Sequence, residues 1–325
     1  MLGRAGRLTV PLTPVLSPQG EGAVWRPAGF GRGDRAGTGD GAASRCLNGS
    51  GRGRGGALPV GGGVPTLTIM SNGPAGGDGR PELSLVIPAL NESRRIPATL
   101  VAVRAYLSRQ PFAAELVVVD DGSRDGTAEV VRRAARRFPA GVVVRVVQHA
   151  RQLGKGAAVR SGCLAARGRY VAYTDADLAV PVEEVGRVLA ALRDGCELAI
   201  GTRIQPDGSD MRASQPLLRR LGGAGFTAMR RRLAVAEIVD TQCPLKAFRS
   251  EVVPHLFRAQ RLRGWSFDAE ILYLAEQRGL RICQVPVVWR HVTGSNLRPG
   301  AKLAVQVAWD LVRLRALHLR VRGAK

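Results

Sequence analysis

Aromatic side chains are scarce: Phe, Trp and Tyr make up 5% of the 325 residues. A basic surface interleaved with stacking rings, the usual platform for single-stranded nucleic acid, is therefore not expected. Long apolar runs are missing as well. No window approaches about eighteen uninterrupted apolar residues, so no membrane span is predicted. Near the N-terminus Arg4 and Arg7 precede a short apolar stretch, but Pro11 and Pro14 break it and no small-residue cleavage site follows closely. That argues against a secretory signal. Cysteine is sparse: Cys46, Cys163, Cys196, Cys243 and Cys283 are odd in number, widely spaced and never arranged as CxxC. They are expected to be reduced thiols, with neither a zinc site nor a disulfide frame. The four histidines (His149, His255, His291, His318) show no ligand spacing and read as surface or structural residues.

Acidic residues are outnumbered, 26 against 48 Lys and Arg, for a net charge of +22. Such a balance asks for an anionic partner: nucleic acid, a phosphorylated small molecule or a membrane surface. The apolar fraction of 45% excludes a wholly disordered chain, and the length suffices for one large domain or two ordinary ones. Residues 1–69 hold 18 of the 41 glycines with 8 Arg and 3 acids, a net of +5 that leaves +17 for the remainder. Runs such as Gly51-Arg52-Gly53-Arg54 have no apolar periodicity to offset chain entropy. Residues 1–79 are accordingly expected to be a disordered leader and linker, or upstream sequence translated from too early a start, with Met70 directly before a polar linker.

From residue 82 onward strand and helix patterns alternate. Apolar runs at 83–87, 116–119, 142–147, 170–174 and 198–200 read as buried strands. Helical spacing marks 96–107, 127–137, 155–166 and 182–193. The alternation predicts an α/β fold: a mostly parallel sheet with helices on both faces. Polar residues cluster just after the strands, at the carboxyl ends where open α/β sheets bind ligands. Three such loops stand out: Pro88-Ala89-Leu90-Asn91-Glu92, Asp120-Asp121-Gly122-Ser123-Arg124-Asp125-Gly126-Thr127, and Asp175-Ala176-Asp177. Two carboxylates one residue apart, on an edge turning away from a sheet, can hold a hard divalent cation with open positions for phosphate oxygens. A single Asp-x-Asp is more often a turn; three loops at successive strand ends are not easily coincidence.

These runs, with Gly154-Lys155-Gly156, resemble the family 2 glycosyltransferases of the GT-A fold. Asp240-Thr241-Gln242-Cys243-Pro244-Leu245-Lys246, Trp265-Ser266-Phe267-Asp268-Ala269-Glu270 and Gly294-Ser295-Asn296-Leu297 narrow the resemblance. They are similar to the polyprenyl-phosphate sugar synthases, nearest to the dolichyl-phosphate β-glucosyltransferases, over residues 83–298. The resemblance implies donor-binding roles for Pro88, Asn91, Glu92, Asp120, Asp121, Lys155 and Arg203, with Asp121 or Asp120 reading the uracil. It implies Asp177 as the main metal ligand (Mg2+ or Mn2+) with Asp175 beside it. Asp240 and Lys246 would face the acceptor, joined by Arg219, Arg220, Asp268 and Glu270. The catalytic set is then Asp175, Asp177, Asp240 and Lys246, within a domain spanning 80–298. The partners implied are a nucleotide sugar, a polyprenyl phosphate and an anionic membrane surface, with no nucleic acid, at the cytoplasmic face of a membrane. Three departures stand out. Ala179 replaces the Gln of the mannose-type synthases, leaving metal to fewer side chains or to water. Pro244-Leu245 replaces Gly-Phe, and Arg151-Gln152-Leu153 replaces the usual Asn before Gly154.

The chemistry follows from the charges. The leaving diphosphate gains charge, so a divalent ion, Lys155 and Arg203 would stabilise it, and a lipid monophosphate needs little general-base help. Inversion by single displacement to a β-linked sugar is expected. Two basic apolar stretches, 217–233 and a C-terminal helix within 299–325, suit an anionic bilayer. In that helix Leu303, Val307, Leu311, Leu314, Leu317 and Val321 fall on one stripe that also takes in Asp310, with Val305, Val312 and Leu319 outside it, so the segment suits packing on the catalytic domain equally well. Rival readings are a glycosyltransferase with a soluble acceptor, which would work without lipid, and a basic nucleic-acid-binding protein, which leaves the carboxylate loops unexplained. A nucleotidyltransferase would open with a Gly-rich loop after the first strand, where Ala89-Leu90-Asn91-Glu92 stands instead.

Overall fold

The computed structural model describes residues 13–15, 24–26, 66–70, 80–211, 238, 240–290 and 301–318. The chain divides into two units, Leu12–Gly63 and a larger one made of Met1–Pro11 with Val64–Lys325. In the smaller, β1 (Thr13–Val15) and β2 (Val24–Arg26) pair antiparallel.

The larger unit runs β3 (Thr66–Met70), β4 (Leu83–Ala89), α1 (Ile96–Leu107), β5 (Ala114–Asp120), α2 (Thr127–Ala135), β6 (Val142–Gln148), α3 (Lys155–Ala165) and β7 (Tyr170–Tyr173). A single 3-10 turn (Val182–Glu184) then leads into α4 (Val185–Arg193), β8 (Leu198–Thr202), β9 (Lys246–Arg249), α5 (Val253–Phe257), α6 (Phe267–Gln277), β10 (Ile282–Pro286) and α7 (Ala301–Leu317). Eight strands form one sheet in the order β10-β8-β9-β7-β4-β5-β6-β3. Its centre, β6-β5-β4-β7, is wholly parallel. β4, β5 and β6 succeed one another outward in one direction, and the α3 crossover then carries the chain back to β7 on the other side of β4. That reversal opens a crevice at the carboxyl ends of β4 and β7.

Strand residues sort by parity onto two apolar cores. Leu85, Ile87, Leu116 and Val118 face the layer of α1, α2 and α4, whereas Val86, Val117, Val119 and Tyr173 face α3, α5 and α6. Burial on both faces is why these strands read as unbroken apolar runs.

Four features depart from expectation. Part of the supposed leader, β3, pairs antiparallel with β6 and closes that edge of the sheet. β9 is inserted antiparallel between β7 and β8, a placement that no local pattern announces. Cys196 and Cys283 form a disulfide, correcting the expectation of reduced thiols throughout. They lie 87 residues apart in sequence, but β8 and β10 are neighbours and bring their Cα atoms to 6.1 Å, within bridging range. Finally, Leu317 leaves the expected stripe of α7, whose Asp310 and Leu314 lie where the spacing predicts. Asp310, Leu314 and His318 are buried, whereas Leu317 is 40% exposed and Val305, Trp309 and Val312 lie open.

Candidate active site

The site is built from the ends of β4, β5 and β7. Register sets Ala89 opposite Asp120, so their loops leave the sheet side by side and hydrogen-bond to each other. The Asp121 amide donates to the Ala89 carbonyl at 2.9 Å. The Asn91 amide donates to Ser123 Oγ (2.9 Å), the Arg124 amide to Asn91 Oδ1 (3.0 Å), and the Glu92 amide to Thr127 Oγ1 (2.9 Å). Asn91 holds a left-handed backbone (φ 52°), one of the few that Asn tolerates better than most residues. Asp125 fastens the next turn, accepting from the Ser93 and Thr127 amides.

Beside these loops lies a cleft of about 680 Å³, walled by Leu90, Asn91, Ser123, Arg124, Arg151 and Gln152 among others, with Thr66 of β3 at its edge. Gly122, at φ +76°, forms part of the wall. A Cβ there would meet the Arg151 carbonyl carbon at 2.5 Å, so the close approach of the two loops requires glycine. The two aspartates expected to read a base are largely engaged inside the chain. Asp120 accepts from the Ser123 amide (3.0 Å) and from Gln148 Nε2 (3.2 Å). Asp121 pairs with His149 Nδ1 at 2.7 Å and accepts from the Leu153 and Gly154 amides at 2.9 and 2.8 Å. Its carboxylate shapes the turn that delivers Lys155 to the site.

Lys155 opens α3. Its ammonium lies 2.6 Å from Asp175 and over the Trp265 ring at 4.8 Å. Burial pushes the lysine pKa down, but Asp175 first, then Asp268 and Asp177, outweigh it and raise the net value. The group is a fixed cation at a helix N-terminus, a suitable place for phosphate oxygens. Asp177 follows β7, with Oδ1 accepting from the Ala179 amide at 3.1 Å. Burial and then the Asp175 charge raise its pKa, against the opposing pull of Lys155 and Arg95. Glu92 is held bidentately by Arg95 at 2.6 and 2.7 Å, and its pKa is also raised, by burial first and in part by Asp177. Glu92, Asp175 and Asp177 therefore share one field of like charge. Pro88 ends the buried run of β4 one residue before the loop begins.

Four of the remaining expected site residues form two buried ion pairs, and Glu270 faces His318. Arg203 grips Asp240 through Nε (2.7 Å) and Nη2 (2.6 Å), and its own amide donates to the same carboxylate at 3.0 Å. The guanidinium stands 5.8 Å from the Trp289 ring centre. Lys246 is fully buried: its ammonium donates to the Cys243 carbonyl (2.7 Å) and to Asp268 Oδ1 (2.5 Å), which also accepts from the Tyr173 hydroxyl at 2.6 Å. Glu270 is likewise sealed, accepting from the Arg261 and Leu262 amides and facing His318 at 2.6 Å. The expectation that Lys246 and Glu270 face an acceptor is thus corrected: neither has surface to offer. Arg219, Arg220, the 217–233 stretch and Gly294-Ser295-Asn296-Leu297 lie outside the described residues. Trp265, Arg95 and the cleft-lining Arg124 and Arg151 were given no role by motif reasoning, although all but Arg95 stand within quoted runs.

Among the described residues no three His, Cys, Asp or Glu side chains come close enough to hold a metal by themselves. Among the same residues no helix is long and apolar enough to cross a membrane.

Comparison with known proteins agrees with this architecture. Residues 84–257 match the family model described as glycosyl transferase family 2. The chain is 36% identical over 231 residues to dolichyl-phosphate β-glucosyltransferase of Drosophila melanogaster, covering 67% of this chain and 70% of that protein. It is 31% identical over 249 residues to the Homo sapiens protein of the same name, covering 73% and 76%. Among solved structures, mannosyl-3-phosphoglycerate synthase from Rubrobacter xylanophilus superposes with a TM-score of 0.56 at 19% identity, covering 75% of each chain. Glucosyl-3-phosphoglycerate synthase from Mycobacterium tuberculosis, solved with UDP, gives 0.53 at 21% identity, over 74% of this chain and 81% of that one. With its mostly parallel sheet, its cleft at the strand ends and these relatives, the chain belongs to glycosyl transferase family 2 and is a glycosyltransferase of the GT-A fold.

Proposed function

We propose that this glycosyltransferase moves glucose from UDP-glucose to a dolichyl or other polyprenyl phosphate, inverting the anomeric centre to leave a β-linked lipid phosphate sugar. The observation that carries the reading is Lys155 at the start of α3, paired with Asp175 one residue from Asp177, three residues beyond the Arg151-Gln152 wall of the cleft by the β4 and β5 loops. The named relatives supply the acceptor and the sugar.

The nucleoside lies in the cleft by Asn91 and Ser123, and its diphosphate runs toward Lys155 and the first amides of α3. Asp177 and Asp175 fit a hard divalent cation such as Mg2+ or Mn2+. They offer only oxygen donors; burial first, and then the neighbouring Asp175 charge, raises the pKa of Asp177, and a cation would relieve that repulsion. When bound, that ion neutralises charge on the departing diphosphate. With Ala179 where a further ligand would stand, Asp175 and Asp177 would be its protein ligands, and phosphate oxygens and water would have to complete the shell.

Lys155 meets the charge that builds on the leaving group as the glycosidic bond breaks. The acceptor phosphate, already an anion, forms the new bond with its own oxygen and requires no base. Asp240 holds the Arg203 guanidinium in place, so Arg203 contributes as an oriented donor rather than a mobile charge. The acceptor meets the protein at an anionic membrane surface, and exposed Val305, Trp309 and Val312 on α7 give that surface something apolar to bind.

The reading is tested by supplying UDP-glucose, GDP-mannose and UDP-N-acetylglucosamine separately with a polyprenyl phosphate and Mg2+ or Mn2+. Extraction of lipid-linked glucose from the first alone is expected. A water-soluble glycoside as the sole product would favour the soluble-acceptor alternative and end this one.

A further inference from the structure

Two buried ionisable groups have no part in the chemistry above: Glu270 near the start of α6 and His318 at the end of α7. Together they join the C-terminal helix to the donor site. His318 Nε2 lies 2.6 Å from Glu270 Oε1. The same oxygen accepts the Arg261 amide at 2.8 Å, and Oε2 accepts the Leu262 amide at 2.7 Å. Both side chains are all but sealed from water, at 3% and 0% exposure, so no solvent replaces a lost partner.

Residues 260–266, held in this way, form the wall against which α3 begins. The Arg263 carbonyl accepts the Ala157 amide at 3.2 Å. Gln260 Nε2 donates to the Gly156 carbonyl at 2.9 Å and to the Leu262 carbonyl at 2.7 Å. At Gly154 (φ +106°) a Cβ would stand 2.6 Å from the Arg263 carbonyl oxygen, so backbone meets backbone there with no slack. The same segment carries Trp265, whose ring lies beneath the Lys155 ammonium.

We propose that His318 and Glu270 are positioning residues for donor binding: their pair fixes the 260–266 segment, and that segment fixes Lys155. The inference rests on the reading of Lys155 as a diphosphate-binding cation. It adds that the helix presenting Val305, Trp309 and Val312 to the surroundings is coupled to the donor site through the hydrogen bond made just past its last turn. An ionised Glu270 carboxylate can only accept, so in this pair His318 Nε2–H is the donor. Loss of the bond leaves a buried carboxylate short of a partner, and the segment then relaxes away from α3.

The test is the dissociation constant for UDP with Mn2+ by titration calorimetry, which needs no turnover, on full-length protein. His318→Leu is expected to weaken UDP binding roughly threefold to thirtyfold. His318→Gln, whose amide can donate from about the place of Nε2, restores it. His318→Asn, one bond shorter, does not, and the Asn–Gln comparison carries the test should the leucine variant fold poorly. Lys155→Ala combined with His318→Leu is expected to bind no worse than Lys155→Ala alone, since the second change acts through the first residue. UDP affinity unchanged in folded His318→Leu, Gln as poor as Leu, or full additivity in the double variant would each overturn the inference. Unchanged UDP affinity in Lys155→Ala would instead remove the donor-site reading beneath it.

Discussion

Replacing Lys246 by Met separates a structural role from a substrate-facing one. The ammonium is 2.5 Å from Asp268 and wholly buried, and Asp268 itself is 4% exposed. Removing one partner of such a pair costs about 3–5 kcal/mol, because the other charge is left in a poor solvent. Asp268 keeps the Tyr173 hydroxyl and feels the field of Lys155, which places the cost near the lower end, about 3 kcal/mol. With a urea slope of about 3 kcal/mol per molar for a domain of this size, the unfolding midpoint should fall by about 1 M. Adding Asp268→Asn removes the stranded charge, so the double variant should regain about 2 kcal/mol relative to Lys246→Met, a coupling that a double-mutant cycle reads directly. A midpoint shift below about 0.2 M, together with a raised KM for the lipid phosphate, would refute the reasoning and return Lys246 to the acceptor side.

Three further outcomes are expected. Asp177→Asn should abolish turnover while circular dichroism and unfolding midpoint stay near wild type; in the wild-type enzyme the raised pKa of Asp177 should set the acid limb of the kcat/KM profile above the ordinary carboxylate value of about 3.9, since the group is protonated earlier as pH falls. Lys155 titrates above the ordinary lysine value because Asp175, Asp268 and Asp177 outweigh its burial, so UDP affinity should hold steady from about pH 7 to pH 9; a decline traced to Lys155 by its Ala variant would contradict that sign. Burial pushes the Cys243 thiol up to about 12 and Cys163 well above its usual range, while Cys196 and Cys283 are bonded; native protein at pH 8 should leave all four unalkylated by iodoacetamide, and peptide mass spectrometry should recover the 196–283 bridge.

Where the sequence carries its own physics, the fold was legible. The doubly buried strands β4 to β7 announce themselves as β-rich apolar runs, and α1 begins and ends where its spacing predicts. The strand-end loops were legible for the same reason: a polar cluster after a buried run has only the sheet edge to occupy. What local pattern cannot show is which distant elements meet. β9 reads as Lys246-Ala247-Phe248-Arg249, too short to be distinctive, and only the sheet gives it neighbours on both sides. The 196–283 disulfide depends on β8 and β10 being adjacent, which no cysteine spacing encodes. Lys246 and Glu270 were assigned to ligands because charged residues in a shared motif suggest chemistry. Pairing buried them, and pairing is a property of the folded chain. Asp121 is an intermediate case: it stands at the site, yet three of its interactions are with the loop that carries Lys155.

The measurement that bears most directly on the whole account is the identity of the product. Purified enzyme given UDP-glucose, a dolichyl phosphate in mixed micelles and Mg2+ should yield a chloroform-soluble glucosyl phosphate whose anomeric proton coupling is that of a β-linkage. An α-linked lipid product would contradict single-displacement inversion, and glucose transferred only to a water-soluble acceptor would contradict the lipid reading.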